Sequence, residues 1–185
     1  MNQLDTQAFL LLNGLHFPWL DTLMALITNK FTWIPLYVLI IASMIKTHKK
    51  EAVPMLVMIL VCILFSDQIC SSILKPWVAR LRPCHQPSLD GLVHLVGGCG
   101  GQYGFCSSHA ANSFTLAASL WYLFGQQHRW VALFFPWAII VSYSRIYVGV
   151  HYPLDILAGA LVGLVVAKIN FECYLYYLKN RKAAN

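Results

Sequence analysis

Charge is what this chain has least of. Only 11% of its 185 residues are charged, and 7 are acidic, against ~25% charged residues in a typical soluble domain. With 58% hydrophobic residues, a soluble fold of this size could not hide its apolar surface. The shortage of charge therefore excludes an ordinary soluble domain and leaves a polytopic membrane protein, which has no need to hide that surface. Also missing from the opening MNQLDTQAFLLLNGL are a basic n-region and a small-residue cleavage site. No cleavable signal peptide is expected, and the spans must direct insertion themselves. No internal repeat, low-complexity tract or break in composition appears, so residues 1–185 read as one membrane-embedded domain with its core at about 50–178.

The net charge of +6 could suggest a nucleic-acid binder, but the positions argue against it. Seven of the 13 basic residues fall in three short clusters, each after an apolar run: Lys46, Lys49 and Lys50; Arg129; Lys179, Arg181 and Lys182. Positive charge flanking hydrophobic spans marks cytoplasmic loops, so no nucleic-acid partner is expected.

What is present is a set of long apolar runs, at about 52–74, 106–124, 130–148 and 154–176, with a fifth at about 22–45, against the ~20 residues a transmembrane helix needs. Residues 4–17 place Leu4, Ala8, Leu11, Leu12 and Leu15 at helical spacing before Pro18, as an interfacial helix or part of a further span. The fold expected is all-α, a polytopic transmembrane helix bundle of five to six spans with a possible N-terminal interfacial helix. The one long connection, residues 84–105, holds six glycines and one proline and reads as a loop. If the basic clusters face the cytoplasm, Lys75–Pro83, this loop and Ser144–His151 share the opposite side. Five spans put the N-terminus on that side too; six put it inside.

Three polar stretches meet there. In KPWVARLRP, Lys75, Arg80 and Arg82 break the positive-inside pattern. Charge beside hydrocarbon is costly and marks function, and cations without nearby carboxylates suit an anion; snorkelling anchors are the plainer reading. In FCSSHA, Ser107 or Ser108 can cap a helix whose N-terminus suits phosphate, with His109 in the first turn; a capping serine beside a structural histidine is the alternative. In SRIYVGVHYPLD, Pro153 suits the first turn of a helix, and Asp155 can accept from His151 Nδ1, leaving Nε2 free as nucleophile or base. Arg145 adds a planar fork of donors suited to phosphate. Here the competing reading is a structural Arg–Asp pair with an incidental histidine.

In order, spacing and membrane side these stretches resemble the type 2 phosphatidic acid phosphatase superfamily of integral-membrane lipid phosphatases. Its first motif, Lys, six residues, Arg-Pro, is matched by Lys75 and Arg82-Pro83. Its third, Ser-Arg, five residues, His, three residues, Asp, is matched by Ser144-Arg145, His151 and Asp155. Its second, Pro-Ser-Gly-His, is degenerate: Cys106-Ser107-Ser108-His109 keeps the serine and the histidine. The resemblance covers about residues 50–178. It implies that Lys75, Arg82 and Arg145 bind the phosphoryl oxygens, with Ser107 and the N–H groups around Ser108 and His109 completing the cradle. His151 attacks phosphorus to give a phosphohistidine, Asp155 orients His151, His109 protonates the leaving group, and water releases phosphate. No metal and no cofactor are implied: three basic side chains already supply positive charge, and the sequence has no clustered carboxylates for magnesium. Vanadate is expected to inhibit.

The implied substrate is a phosphorylated membrane lipid, of undecaprenyl diphosphate, phosphatidylglycerol phosphate, phosphatidic acid or lipid A type. The setting is a bacterial inner membrane, with the site on its extracytoplasmic face. A phosphotransferase using the same residues, or a lipid-binding or transport protein with a relic site, are the alternatives. Among lesser features, Cys62, Cys70 and Cys173 are expected to pack in or beside spans, Cys84–Cys99 to form a disulfide bracing the loop, and Asp67 to bond a neighbouring helix. Arg80, outside the motif, is expected at best to make a supporting or headgroup contact. His85 and His94 are loop residues near the headgroup or solvated, Lys168 is a snorkelling lysine, and Tyr174, Tyr176 and Tyr177 fit an interfacial belt.

Overall fold

A computed structural model describes residues 3–183, and among them helices carry the fold. Helix α1 (Gln3–Asn13) meets α2 (Pro18–Thr28) at a bend of 115°. Pro18 starts α2, where its fixed φ and missing N–H cost nothing. From Lys30 to Val78 the chain is helical for 49 residues. Straight, that would measure ~74 Å at 1.5 Å per residue, more than twice the ~30 Å hydrocarbon layer. Instead it folds into two legs, α3 (Ile34–His48) and α4 (Ala52–Gln68). The break is the tight turn Lys49–Glu51, with Lys49 at φ 49. Met44 of one leg packs with Ala52, Met58 and Ile59 of the other.

Past Gln68 the helix widens into a π-helical stretch, Ile69–Leu74, and closes as the short α5 (Lys75–Val78). Beyond the long loop come α6 (Ser108–Phe124), α7 (Phe134–Tyr147) and α8 (Pro153–Ala183). Among the described residues, three continuous stretches are long and apolar enough to cross a bilayer, Lys30–Val78, Arg129–Tyr147 and Pro153–Arg181, and the bent α1–α2 pair makes a fourth if it counts as one span. The run expected at 106–124 becomes helical only at Ser108, giving 17 residues, ~26 Å. It stands at the centre of the bundle, against α4, α7 and α8, and buries Ala110, Ala111, Ala117, Ala118 and Leu120. The outer helices turn Leu39, Leu60, Ile139, Leu157 and Leu161 outward, as lipid-facing surfaces do.

The tightest contact is between α6 and α8, and two glycines one turn apart make it. A Cβ on Gly159 would collide with the Ser107 carbonyl and one on Gly163 with that of Ala111. Thr115 Oγ1 donates to the Gly163 carbonyl at 3.3 Å. Small residues at i and i+4 let membrane helices approach this closely.

The bundle has two unlike ends. At one, His48 stacks on Phe124 at 5.1 Å and Arg181 pairs with Glu51 at 3.4 Å, which gathers the α3–α4 turn, the end of α6 and the end of α8. At the other lies the loop, clipped by Cys84–Cys99 with Cα atoms 6.0 Å apart, the expected pair. The structure corrects the reading of Cys70 as a packing residue. It lies in the π-helical stretch, where the altered helical repeat re-aims side chains, and it bonds Cys106 across a Cα distance of 5.3 Å. Of the possibilities for the N-terminal segment, α1 lies across the ends of α7 and α8, with Phe9 fully buried against Tyr152 at 5.4 Å.

Candidate active site

The end that carries the loop also gathers the three polar stretches. Lys75 begins α5 and donates from Nζ to Ser108 Oγ at 2.9 Å, tying the first stretch to the second. Ala79 turns left-handed and ends the helix. The chain then pairs briefly with the returning loop: Gly104 N–H donates to the Arg80 carbonyl at 2.8 Å and Arg82 N–H to that of Gln102 at 3.1 Å. This pairing aims Arg82 back toward the loop, where Nη1 donates to the Cys99 carbonyl at 2.7 Å and Nε to that of Tyr103 at 3.3 Å. The Cys84–Cys99 bond therefore fixes an acceptor that holds Arg82. Burial presses the Arg82 guanidinium below its ordinary pKa, with Asp155 pulling the other way.

The second stretch is built as a helix start. Ser107 is the N-cap of α6, its Oγ accepting from Ala110 N–H at 3.4 Å. Its own N–H donates to the Asp155 carbonyl at 3.0 Å, which ties the second stretch to the third. The Ser108 and His109 N–H groups sit in the first turn, where a helix leaves donors unpaired. The His109 ring lies beside the Thr28 backbone at the end of α2 and within electrostatic reach of Arg145, His151 and Lys75.

The third stretch supplies the rest. Arg145, in the last turn of α7, donates from Nη1 to Thr28 Oγ1 at 2.6 Å, while its buried Nε has no hydrogen-bond partner. Gly149 makes the turn into α8 at φ 82, where a Cβ would strike the His94 carbonyl; only glycine adopts that geometry freely. His151 is 2% exposed, with Nδ1 3.4 Å from Asp155 Oδ2. Burial pulls its pKa down to about 4, against the hydrogen bond and charge of Asp155. Asp155 is fully buried: Oδ2 also accepts from Tyr152 N–H at 3.0 Å, and Oδ1 from Arg80 Nη1 at 2.9 Å.

All eight residues singled out from the sequence, Lys75, Arg82, Ser107, Ser108, His109, Arg145, His151 and Asp155, thus come from segments that are bonded together at one end of the bundle. Others went unrecognised. Thr28 touches both Arg145 and His109, and nothing in its local sequence marks it. Gly104 is packed so closely that a Cβ would lie 3.0 Å from Asp155 Oδ2 and 3.6 Å from His151 Nδ1; its place just before the second stretch was a signal. Arg80, by contrast, makes the supporting contact expected of it, bonding Asp155 directly. Asp67 bonds the neighbouring helix as expected, accepting from Asn112 Nδ2 on α6 at 3.2 Å. His94 is held by Asp21 at 2.8 Å, and His85 lies 3.2 Å from the Gly100 carbonyl.

Beside His109 a cavity of about 590 Å³ opens between α3, α4, α6 and α7. Its walls are chiefly apolar, with Ile41, Leu60 and Val141 among them, and its polar contributors include Lys30, Asp67, Ser108, His109 and Asn112.

Comparison with known proteins gives the family. The family model described as the PAP2 superfamily matches residues 56–180, a span that includes all three stretches. The chain belongs to the PAP2 superfamily. Among PAP2 relatives, it is 44% identical over 181 residues to the lipid A 4'-phosphatase of Bacteroides thetaiotaomicron, covering 96% of this chain and 77% of that one. It is 37% identical to the lipid A 4'-phosphatase of Porphyromonas gingivalis, covering 94% and 74%. The crystal structure of Aquifex aeolicus LpxE superposes with a TM-score of 0.67 at 25% identity, over 91% of this chain and 95% of that one. This PAP2 chain is an integral membrane lipid phosphatase.

Proposed function

We propose that this phosphatase removes a phosphate monoester from a lipid A-type glycolipid at the extracytoplasmic face of a bacterial inner membrane, through a phosphohistidine at His151. The observation that carries the site reading is the buried, unpaired Nε of Arg145, at the end of the bundle that also holds Lys75 and Arg82. A buried donor without a partner is costly, and a phosphoryl oxygen satisfies it. Lys75, Arg82, Arg145 and the first-turn N–H groups of α6 stabilise the charge that collects on the equatorial oxygens in the transition state. Those cations supply the charge that a metal supplies elsewhere, so the reading includes no metal. His151 is held neutral by burial, so Nε2 keeps its lone pair at neutral pH. The Nε2–P bond forms as the P–O ester bond breaks. Burial and the nearby Arg145, His151 and Lys75 lower the His109 pKa to about 3, so His109 takes up a proton as the anionic phosphate binds beside it. It gives that proton to the departing oxygen, and then accepts one from the water that hydrolyses the phosphohistidine.

The lipid class rests on the named relatives and on the cavity. Its apolar walls suit acyl chains, and Asp67 and Asn112 on those walls suit the amides and hydroxyls of an acylated sugar. The outward orientation rests on the basic clusters at the opposite end and on both disulfides lying at the site's end, where an oxidising compartment permits them.

The test is phosphate release by purified enzyme in detergent, with EDTA, from lipid A bisphosphate, undecaprenyl diphosphate, phosphatidylglycerol phosphate and phosphatidic acid. Lipid A bisphosphate is expected to turn over fastest and to lose one phosphate, and His151→Ala to lower kcat by at least roughly 10⁴-fold. Faster turnover of another lipid would replace the substrate assignment. Full activity of His151→Ala would end the mechanism.

A further inference from the structure

We propose that Asp5 and Arg80 are positioning residues for His151, acting through Asp155, so that the N-terminal helix is part of the phosphatase machinery. This rests on His151 being the nucleophile. The starting point is that the 3.4 Å contact between His151 Nδ1 and Asp155 Oδ2 is too long to set the carboxylate's orientation by itself. Tyr152 N–H holds Oδ2 at 3.0 Å, and a contact at the other oxygen completes the orientation. Asp155 Oδ1 accepts from Arg80 Nη1 at 2.9 Å, and because a carboxylate is rigid, holding Oδ1 as well fixes where Oδ2 points.

Arg80 is in turn held from three sides. Its Nη2 donates to Asp5 Oδ2 at 2.5 Å. Its guanidinium lies over the Tyr152 ring at 3.9 Å, a cation–π contact. Its carbonyl accepts from Gly104 N–H. Asp5 has a second hold on the site: Oδ1 accepts at 2.9 Å from the Leu154 N–H, in the first turn of α8, one residue before Asp155. The Asp5 and Asp155 side chains are 2% and 0% exposed. Phe9 against Tyr152 seats α1 on the same spot.

Charge gives Asp5 its specific part. Facing Asp155 alone, the Arg80 cation would neutralise it. Shared between two carboxylates, one guanidinium leaves this trio with a net negative charge beside His151. When Nε2 takes the phosphoryl group the imidazole becomes cationic, and the trio's negative charge offsets the repulsion from Arg145 and Arg82, which also act on His151.

The experiment compares Arg80→Gln, Arg80→Lys, Asp5→Asn and the Arg80→Gln/Asp5→Asn double variant in purified enzyme, with His151→Ala as reference. Asparagine keeps an acceptor for Leu154 N–H, so Asp5→Asn removes charge rather than shape. Arg80→Gln should lower kcat ten- to a hundredfold and Asp5→Asn roughly tenfold, as loss of an orienting partner does elsewhere. Lysine at position 80 should recover part of the loss. KM and the competitive Ki of inorganic phosphate should hold within about twofold, the pattern of a lost transition-state interaction, since Lys75, Arg82 and Arg145 are untouched. The double variant should be no slower than Arg80→Gln, because Asp5 acts through Arg80. A fall in melting temperature with kcat per folded enzyme unchanged would reduce the pair to scaffolding and overturn the proposal, as would a change in Ki alone. If His151→Ala is inactive while both single variants keep full kcat, the relay fails and the nucleophile stands; if His151→Ala is active, the nucleophile itself fails.

Discussion

In the proposed mechanism His151 is the nucleophile, and its burial is what prepares it. A histidine free in water has a pKa near 6.5; here burial lowers it to about 4. The unfolded chain therefore binds a proton between those values that the folded chain refuses. The sign follows: the stability this group contributes is whole above about pH 6.5 and drains away as pH falls toward 4. Arg145 and Arg82 reinforce the depression, while Asp155 resists it. Nitrogen NMR of ring-labelled enzyme in micelles should find the His151 ring neutral at pH 5.5, with its signal identified by loss in His151→Gln. A ring protonated at that pH would remove the basis for a lone pair ready at neutral pH. At this scale most of the site was legible in the sequence, because phosphate chemistry demands particular residue types at fixed spacings. Thr28 and Asp5 were not, and Arg80 was legible only as a supporting contact with its partner unnamed. Each acts through partners far along the chain, Asp5 reaching Leu154 across 149 positions, and no local pattern reports such a pairing.

Elements carry the site through helix ends. Ser107 caps α6, Pro153 opens α8, and the glycines of α8 set how closely the two helices pack. Periodicity announced the long apolar helices but not this contact, since Gly159 and Gly163 read as ordinary small residues until α6 is seen against them. Likewise Cys70 looked like packing within an apolar run, because the π-helical stretch that turns it toward Cys106 leaves no clear trace in composition. The packing can be tested by adding bulk. Gly159→Val and Gly163→Val should each lower stability by about 1–3 kcal/mol, the usual cost of overpacking, read as a shift in thermal unfolding in detergent. They should part company in turnover. Gly159 abuts the carbonyl of Ser107, the cap of α6, while Gly163 abuts Ala111 one turn deeper. Gly159→Val is thus expected to lower kcat severalfold more than Gly163→Val. Equal effects on kcat would mean that the α6 N-terminus does not depend on this contact.

For the molecule as a whole, the governing feature is polarity from one end to the other. The basic clusters gather at the end where Arg181 meets Glu51, and Lys75, Arg82 and Arg145 gather at the end closed by two disulfides. Cys62 and Cys173 remain free. Each sorting has its own cause. Lysine and arginine outside a ligand site are retained on the cytoplasmic side during insertion, whereas cysteines pair where the compartment is oxidising. Both causes assign the same direction, although neither depends on the other. Site-directed labelling checks that direction. In intact spheroplasts an impermeant maleimide should modify a Ser88→Cys variant, in the exposed loop, and should reach a Lys179→Cys variant only after the membrane is opened. The reverse pattern would put the phosphate cradle in the cytoplasm. The positive-inside argument and the disulfide argument would then both fail, since a reducing cytosol would leave Cys84 and Cys99 as thiols and free the acceptor that now holds Arg82.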